Sequence, residues 1–203
     1  MRTDPAFTEL RTPRVRLRRS VPEDAEAISA YRSDPDVRIH QGWRKTDPDH
    51  VRGEIEQMLG RAPGEPGGWV QFSVETLETG ELVGDVGLCP DREDADVLLV
   101  GYTISPVHQG KGYASEAVGA LVEYAFDTLE ADVVRAYADA GNVASVRVAA
   151  NVGLLVVERF EENDADGSWH GVRMERRRAQ ERIDDGLRSD SPPASAAEDE
   201  PHA

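Results

Sequence analysis

Cysteine and lysine are almost missing from this sequence, and each scarcity removes a class of explanation. Cys89 stands alone, so no internal disulfide and no multi-cysteine zinc or iron–sulfur site can form, a usage that suits a reducing cytoplasm. The histidines (His40, His50, His108, His170 and His202) show no ligand spacing such as HxxxH, and no metal is expected. Long apolar runs are lacking too. Nothing approaches the roughly 18 residues of a membrane span, and the opening MRTDPAFTEL is polar and proline-bearing, unlike a signal peptide. The expectation is a soluble, cytoplasmic protein with no membrane partner.

Positive charge is the third shortage. Lysine and arginine together number 23 against 39 acidic residues, a formal net charge of −16. A protein that neutralises phosphates needs a basic surface, so nucleic acid is not an expected partner, whereas a cationic substrate would be at home. With lysine confined to Lys45 and Lys111, the acid excess fits adaptation to a salty cytoplasm or a bias of genome composition. Part of the charge lies in residues 179–203, where seven acidic residues face two arginines among Pro, Ser and Ala with almost nothing to bury. That stretch reads as an acidic, disordered tail. Residues 1–178 suffice for one domain with its own core, and no internal repeat is visible.

What is present is organised around Asp96–Glu130. Val97–Ile104 is apolar on both faces, as a central strand covered on two sides must be, and Gly101 predicts a bulge or a close backbone approach within it. Gln109, Gly110, Lys111, Gly112, Tyr113 and Ala114 then open a helix whose Ala114, Ala117, Val118, Leu121, Val122, Ala125 and Leu129 form one apolar stripe. Free backbone N–H groups at such a helix start bind phosphate.

The flanking segments supply more strands and helices. Arg14–Arg19 alternates as a first strand, and Pro22 opens a helix with Glu23 and Asp24 at its positive end. A short PDVRIH segment and the Gly42-Trp43 turn follow, then a helix capped by Thr46 or Asp47 and carrying Pro48 in its first turn. Trp69–Thr76 and Leu82–Cys89 form a hairpin around Glu78-Thr79-Gly80-Glu81. Val133–Ala138 is another strand, Asn142 starts a helix that Gly153 stops, and Leu154–Phe160 with Trp169–Arg176 makes a final hairpin.

The pair Gly110 and Gly112 invites several phosphate-site readings. GxxxxGK[ST] is not matched, since Gly112 follows Lys111 after the wrong spacing, and a dinucleotide fingerprint fails at Ser115, where a third glycine or alanine belongs. Alone, the pair could be turn glycines and nothing more. Gln109, Gly112 and Ala114, however, match the Gln/Arg-x-x-Gly-x-Gly/Ala turn, and the segment resembles the acetyl-CoA-binding motif of the GNAT N-acetyltransferase superfamily. LRTPRVRLRRSVPEDAEAI, GYTISPVHQGKGYASEAV and GNVASVRVAANVGL resemble, in order, motifs of its RimJ/RimL branch, which acetylates ribosomal-protein N-termini.

The resemblance implies an α/β (α+β) fold: a mixed, largely antiparallel central sheet with helices on both faces and a splayed central strand pair that admits acetyl-CoA. It implies that the Gln109–Ala114 turn holds the CoA pyrophosphate, that Tyr102, Thr103 and Ile104 offer backbone groups to pantetheine and the acetyl carbonyl, and that Asn142 reaches the cofactor arm. Ser145 is then the expected acid for the departing thiolate, although capping and first-turn roles suit Asn142 and Ser145 as well. For the base, the residues themselves point to Asp85, because a charge inside LVGDVGL is costly unless it has a partner or a wet cleft, with Glu75 second. Leu99 stands where relatives often carry a glutamate. Trp43 lies where the family lines its acceptor pocket, while Trp69, Trp169 and Cys89 read as structural. The expected reaction is acetyl transfer to a primary amine, foremost a protein N-terminus. The alternatives are a small cationic amine such as a polyamine or aminoglycoside, or a CoA-binding module without turnover. A homodimer is a family expectation.

Overall fold

The structure is a computed structural model and describes residues 1–43, 45–164 and 167–178. The tail expected from Ala179 onward lies outside the described residues, as does the side chain of Trp169. Among the described residues the strands are β1 (Glu9–Arg11), β2 (Val15–Arg19), β3 (Val70–Thr76), β4 (Leu82–Pro90), β5 (Val97–Ile104), β6 (Val133–Asp139), β7 (Leu155–Asp164) and β8 (Gly167–Arg177). They form one sheet in the order β1-β2-β3-β4-β5-β6-β8-β7. Every pairing is antiparallel except β5 with β6.

That exception shapes the molecule. The parallel ladder joins only Val97–Leu99 to Val133–Arg135. Beyond it β5 stays bonded to β4 as far as Ile104, and β6 stays bonded to β8 as far as Asp139. The two strands therefore part toward their C-terminal ends, which is the splay expected from the sequence. In open sheets, ligands bind beyond such strand ends.

Helices cover both faces. α4 (Tyr113–Asp127) packs Ala117, Val118, Leu121, Val122 and Ala125 onto Leu17, Phe72, Val86 and Leu98, the main core. α1 (Ala25–Arg32) and α3 (Pro48–Met58) lie on the opposite face around a smaller cluster of Ala25, Ile28, Tyr31, Val51 and Ile55. Between them is α2 (Pro35–Arg38), a single turn where the sequence suggested only a short segment; Asp34 caps it by accepting from the Asp36 N–H. Asp47 caps α3 by accepting the His50 N–H at 3.0 Å. α5 (Val143–Asn151) starts at Asn142 and stops at Gly153, which sits at φ +83°.

Gly101 departs from expectation. The β4–β5 register runs unshifted past it, so there is no bulge. Gly101 faces Gly87 across the ladder, and a Cβ on either would meet the indole of Trp69, at 3.4 and 3.2 Å respectively. It is a side chain that approaches here, made possible by two bare backbones.

Candidate active site

The turn between β5 and α4 is held from several sides. Gly110 and Gly112 take φ of +74° and +83°, a region costly for any residue with a Cβ. The side chain of Gln109 donates to the Ile104 carbonyl at 3.0 Å, tying the turn back to its strand. Arg14, from the approach to β2, donates to the Lys111 carbonyl at 2.9 Å and stacks on Tyr113 with its guanidinium 5.2 Å from the ring centre. Glu116 in the first turn of α4 anchors this brace, accepting from the Thr12 hydroxyl at 2.6 Å and from the Arg14 backbone at 2.7 Å. Burial opposes its charge, but these hydrogen bonds and the Arg14 guanidinium hold the Glu116 carboxyl below its ordinary value. The first helical bond runs from Glu116 N–H to Gly112 O, so the N–H groups of Tyr113, Ala114 and Ser115 have no helical carbonyl to bond. This geometry suits a pyrophosphate. Sequence reasoning missed Arg14, whose strand pattern carries no sign of its distant partner.

Across the splay, Tyr102 on β5 meets the start of α5. The Tyr102 hydroxyl donates to the Ser145 carbonyl at 2.8 Å and accepts from the Ser145 hydroxyl at 2.9 Å. The Asn142 side chain accepts from the Ser145 N–H at 3.0 Å, which fixes the helix start. Burial pushes the Tyr102 phenol above its ordinary range, so it is protonated at neutral pH. The structure thus brings Tyr102, Asn142 and Ser145 together.

On the α1/α3 face a cleft of about 560 Å³ opens beside β5, lined among others by Arg32, Trp43, Arg61, Trp69, Asp85 and Tyr102. Asp85, only 2% exposed, accepts hydrogen bonds from the Tyr31 hydroxyl and the Gln71 amide, and lies 3.4 Å from Arg32 Nη2. Burial pushes the Asp85 carboxyl above the ordinary carboxylate range, against the Arg32 charge and the bonds from Tyr31 and Arg32, which act the other way. Arg32 also reaches Glu54 at 3.0 Å and is covered by Trp43, 4.6 Å from guanidinium carbon to ring centre. Its Nε is buried without a partner. Trp69, read from sequence as structural, is 39% exposed and forms a wall of this cleft.

The other expected site residues are placed differently. Glu75, 6% exposed, does not line the cleft and is held by Arg16 and Arg18, each at 2.5 Å. Thr103 is buried directly opposite Asp85 on the ladder, its hydroxyl 3.5 Å from the Gln41 amide. Cys89 is buried with its thiol pushed up by desolvation, a setting for an inert thiol. His108 bonds Glu81 at 3.1 Å beside Lys111. No cluster of three or more metal-ligating side chains occurs among the described residues. Tyr31, Arg32 and Gln71 escaped sequence reasoning. The only signal was the cost of leaving Asp85 alone in an apolar strand.

These features, a splayed parallel pair running into a glycine turn and a helix start, define an acyl-CoA transferase fold, and the chain belongs to the GNAT acetyltransferase family: the domain described as "Acetyltransferase (GNAT) domain" matches residues 14–155. The protein is accordingly an acetyl-CoA-dependent acyltransferase. It is 33% identical over 140 residues to the protein named "Uncharacterized N-acetyltransferase p20" of Bacillus licheniformis, covering 68% of this chain and 78% of that one. Its fold resembles Mycobacterium smegmatis RimJ, solved with CoA-disulfide (TM-score 0.72, 20% identity, 87% and 90% of the two chains). It also resembles the ribosomal-protein-S5-alanine acetyltransferase of Vibrio fischeri (TM-score 0.71, 17% identity, 84% and 97%). No helix among the described residues is long and apolar enough to cross a membrane.

Proposed function

We propose that this protein acetylates the α-amino group of a protein N-terminus. The observation that carries the reading is the charge of the cleft beside β5. In a chain with a formal charge of −16, Arg32 and Arg61 stand there against Glu54 and Asp85. A polyamine would find no surplus of carboxylates to hold its several charges, whereas a single amino group followed by a peptide needs no such surplus.

In this reading the N–H groups of the Gln109–Ala114 turn, from Gln109, Gly110, Lys111, Gly112, Tyr113 and Ala114, take the CoA pyrophosphate. The backbone of Tyr102, Thr103 and Ile104 meets the pantetheine arm and the acetyl carbonyl, and Trp43 and Trp69 flank the acceptor. The acceptor ammonium gives a proton to Asp85, whose raised proton affinity suits the task. The freed amine attacks the thioester carbon, and a tetrahedral oxyanion forms. Its collapse breaks the C–S bond; the Ser145 hydroxyl, aligned by Asn142 and Tyr102, protonates the sulfur and is itself reprotonated by the proton that the acetylated nitrogen gives up, so that the products are the amide and the free CoA thiol. Mass spectrometry of a panel of N-terminal peptides, polyamines and aminoglycosides incubated with acetyl-CoA tests this. Acetylation on peptide α-amines is expected; acetylation of polyamines with every peptide untouched would overturn it.

A further inference from the structure

Arg32 and Arg61 are the two cations of the cleft, and they are not equivalent. Arg32 is 5% exposed, set between Asp85 and Glu54, and covered by Trp43. Arg61 lines the same cleft with no carboxylate within ion-pair distance among the described residues. Its Nη1 donates to the Trp69 carbonyl at 3.2 Å, which holds the guanidinium beside the indole wall. Gly68 makes room for it, since a Cβ there would lie 2.7 Å from Arg61 Nη1.

Arg19, Arg38 and Arg92 also have no ion-pair partner among the described residues, but of these arginines only Arg61 lines the cleft. Once a bound acceptor covers the cleft, that guanidinium loses water, and an uncompensated charge becomes costly unless the acceptor brings an anion. A carboxylate is the group that the planar fork of arginine donors matches.

We propose that the acceptor N-terminus carries a carboxylate close behind its amino group, at the second or third residue, and that Arg61 pairs with it. This rests on the N-terminal acetylation reading above and names the kind of N-terminus. Arg61 is then a specificity-determining residue that selects acidic and rejects basic acceptors.

The test uses peptides of one sequence with Glu, Gln or Lys at position two or three, titrated by calorimetry into the CoA-saturated protein. Thiol release from acetyl-CoA is followed separately. Glutamate peptides should bind about tenfold tighter than their glutamine counterparts at one of the two positions, with lysine peptides weakest. Arg61→Gln should erase the ranking, Arg61→Glu invert it and Arg61→Lys preserve it in weaker form; the lysine variant separates lost charge from a disturbed Trp69. Equal Kd values across the three peptides, or a glutamate preference that survives Arg61→Gln, would overturn the proposal. Absence of thiol release with every peptide would instead remove the N-terminal reading, while the Kd ranking still decides the charge preference.

Discussion

Toward α4, β3 presents Val70, Phe72 and Val74, which pack with Leu88, Val86 and Leu121; toward α1 and α3 the same strand presents Gln71, Ser73 and Glu75. The polar row continues across the ladder, where Arg18, Ser73, Asp85 and Thr103 lie side by side. Arg18 reaches both oxygens of Asp24 at 2.7 Å, and Ser73 adds a bond to Asp24 at 2.7 Å. One face is held by apolar burial, which is non-directional and tolerates small shifts. The other adds to its smaller apolar cluster a row of polar groups whose partners must each be met, because a buried polar group left alone costs more than its bond contributes. The cleft opens on the second face, where geometry is most tightly prescribed.

The comparison breaks first at Asp85. Asp85→Asn should lower kcat by about 10²–10⁴ if that carboxylate takes the acceptor proton. The fold should survive, because Arg32 keeps Glu54 and the asparagine oxygen still accepts from Tyr31. Near wild-type kcat over the whole pH range would remove Asp85 from proton transfer. Leu121→Ala on the opposite face should do the reverse, costing about 2–5 kcal/mol in a urea melt while leaving kcat per folded molecule unchanged. A large kcat loss with unaltered stability would show that the two faces are not separable in this way.

The carboxylates of the polar face also separate by sign. Burial opposes the Asp24 charge, but Arg18, the Val21 N–H and Ser73 together depress its proton affinity below the ordinary carboxylate value. Its folded pKa is lowered, so its contribution is fully present above about pH 4, the unfolded value, and is lost as pH falls through the folded one. Asp85 has the opposite sign: its folded pKa is raised, so its term favours folding at low pH and is lost as pH rises through that value. Stability measured against pH should therefore fall less steeply in acid for Asp24→Asn than for the parent. An unchanged slope would mean that the Arg18 cluster carries no pH-dependent stability. The smallest effect is expected at Gly101→Ala. The new methyl would sit 3.4 Å from the Trp69 ring, an ordinary contact, so stability should change by less than about 1 kcal/mol and any response should appear in acceptor KM. A collapse of the fold would contradict the unstrained placement of that indole.

Much of the fold was legible because its signals are local. The apolar strand β5, the glycines at positive φ, the stripe of α4 and the Asn142 and Asp47 caps each depend on residues within a few positions of one another. The candidate site was legible only where local chemistry was out of place, as with an aspartate inside an apolar strand. Its partners were not, because Tyr31 and Arg32 come from α1, and Gln71 from another strand. Trp69 was misjudged for a related reason: an exposed indole over a glycine pair becomes visible only when Gly87 and Gly101 are known to face each other.

By itself the sequence determined most of the strands and helices, β1 and α2 excepted, and the glycine turn, since backbone sterics, periodicity and capping act along the chain; the family was legible through the resemblance of three motifs in order. Only the tertiary structure decided that Tyr102 and Ser145 share hydrogen bonds across the splay, that Asp85 is enclosed by three donors, and that Arg61 is left without a carboxylate at the cleft. Those outcomes depend on cross-strand register and on how each helix is rotated against the sheet, which long-range packing sets and chain-neighbour chemistry does not.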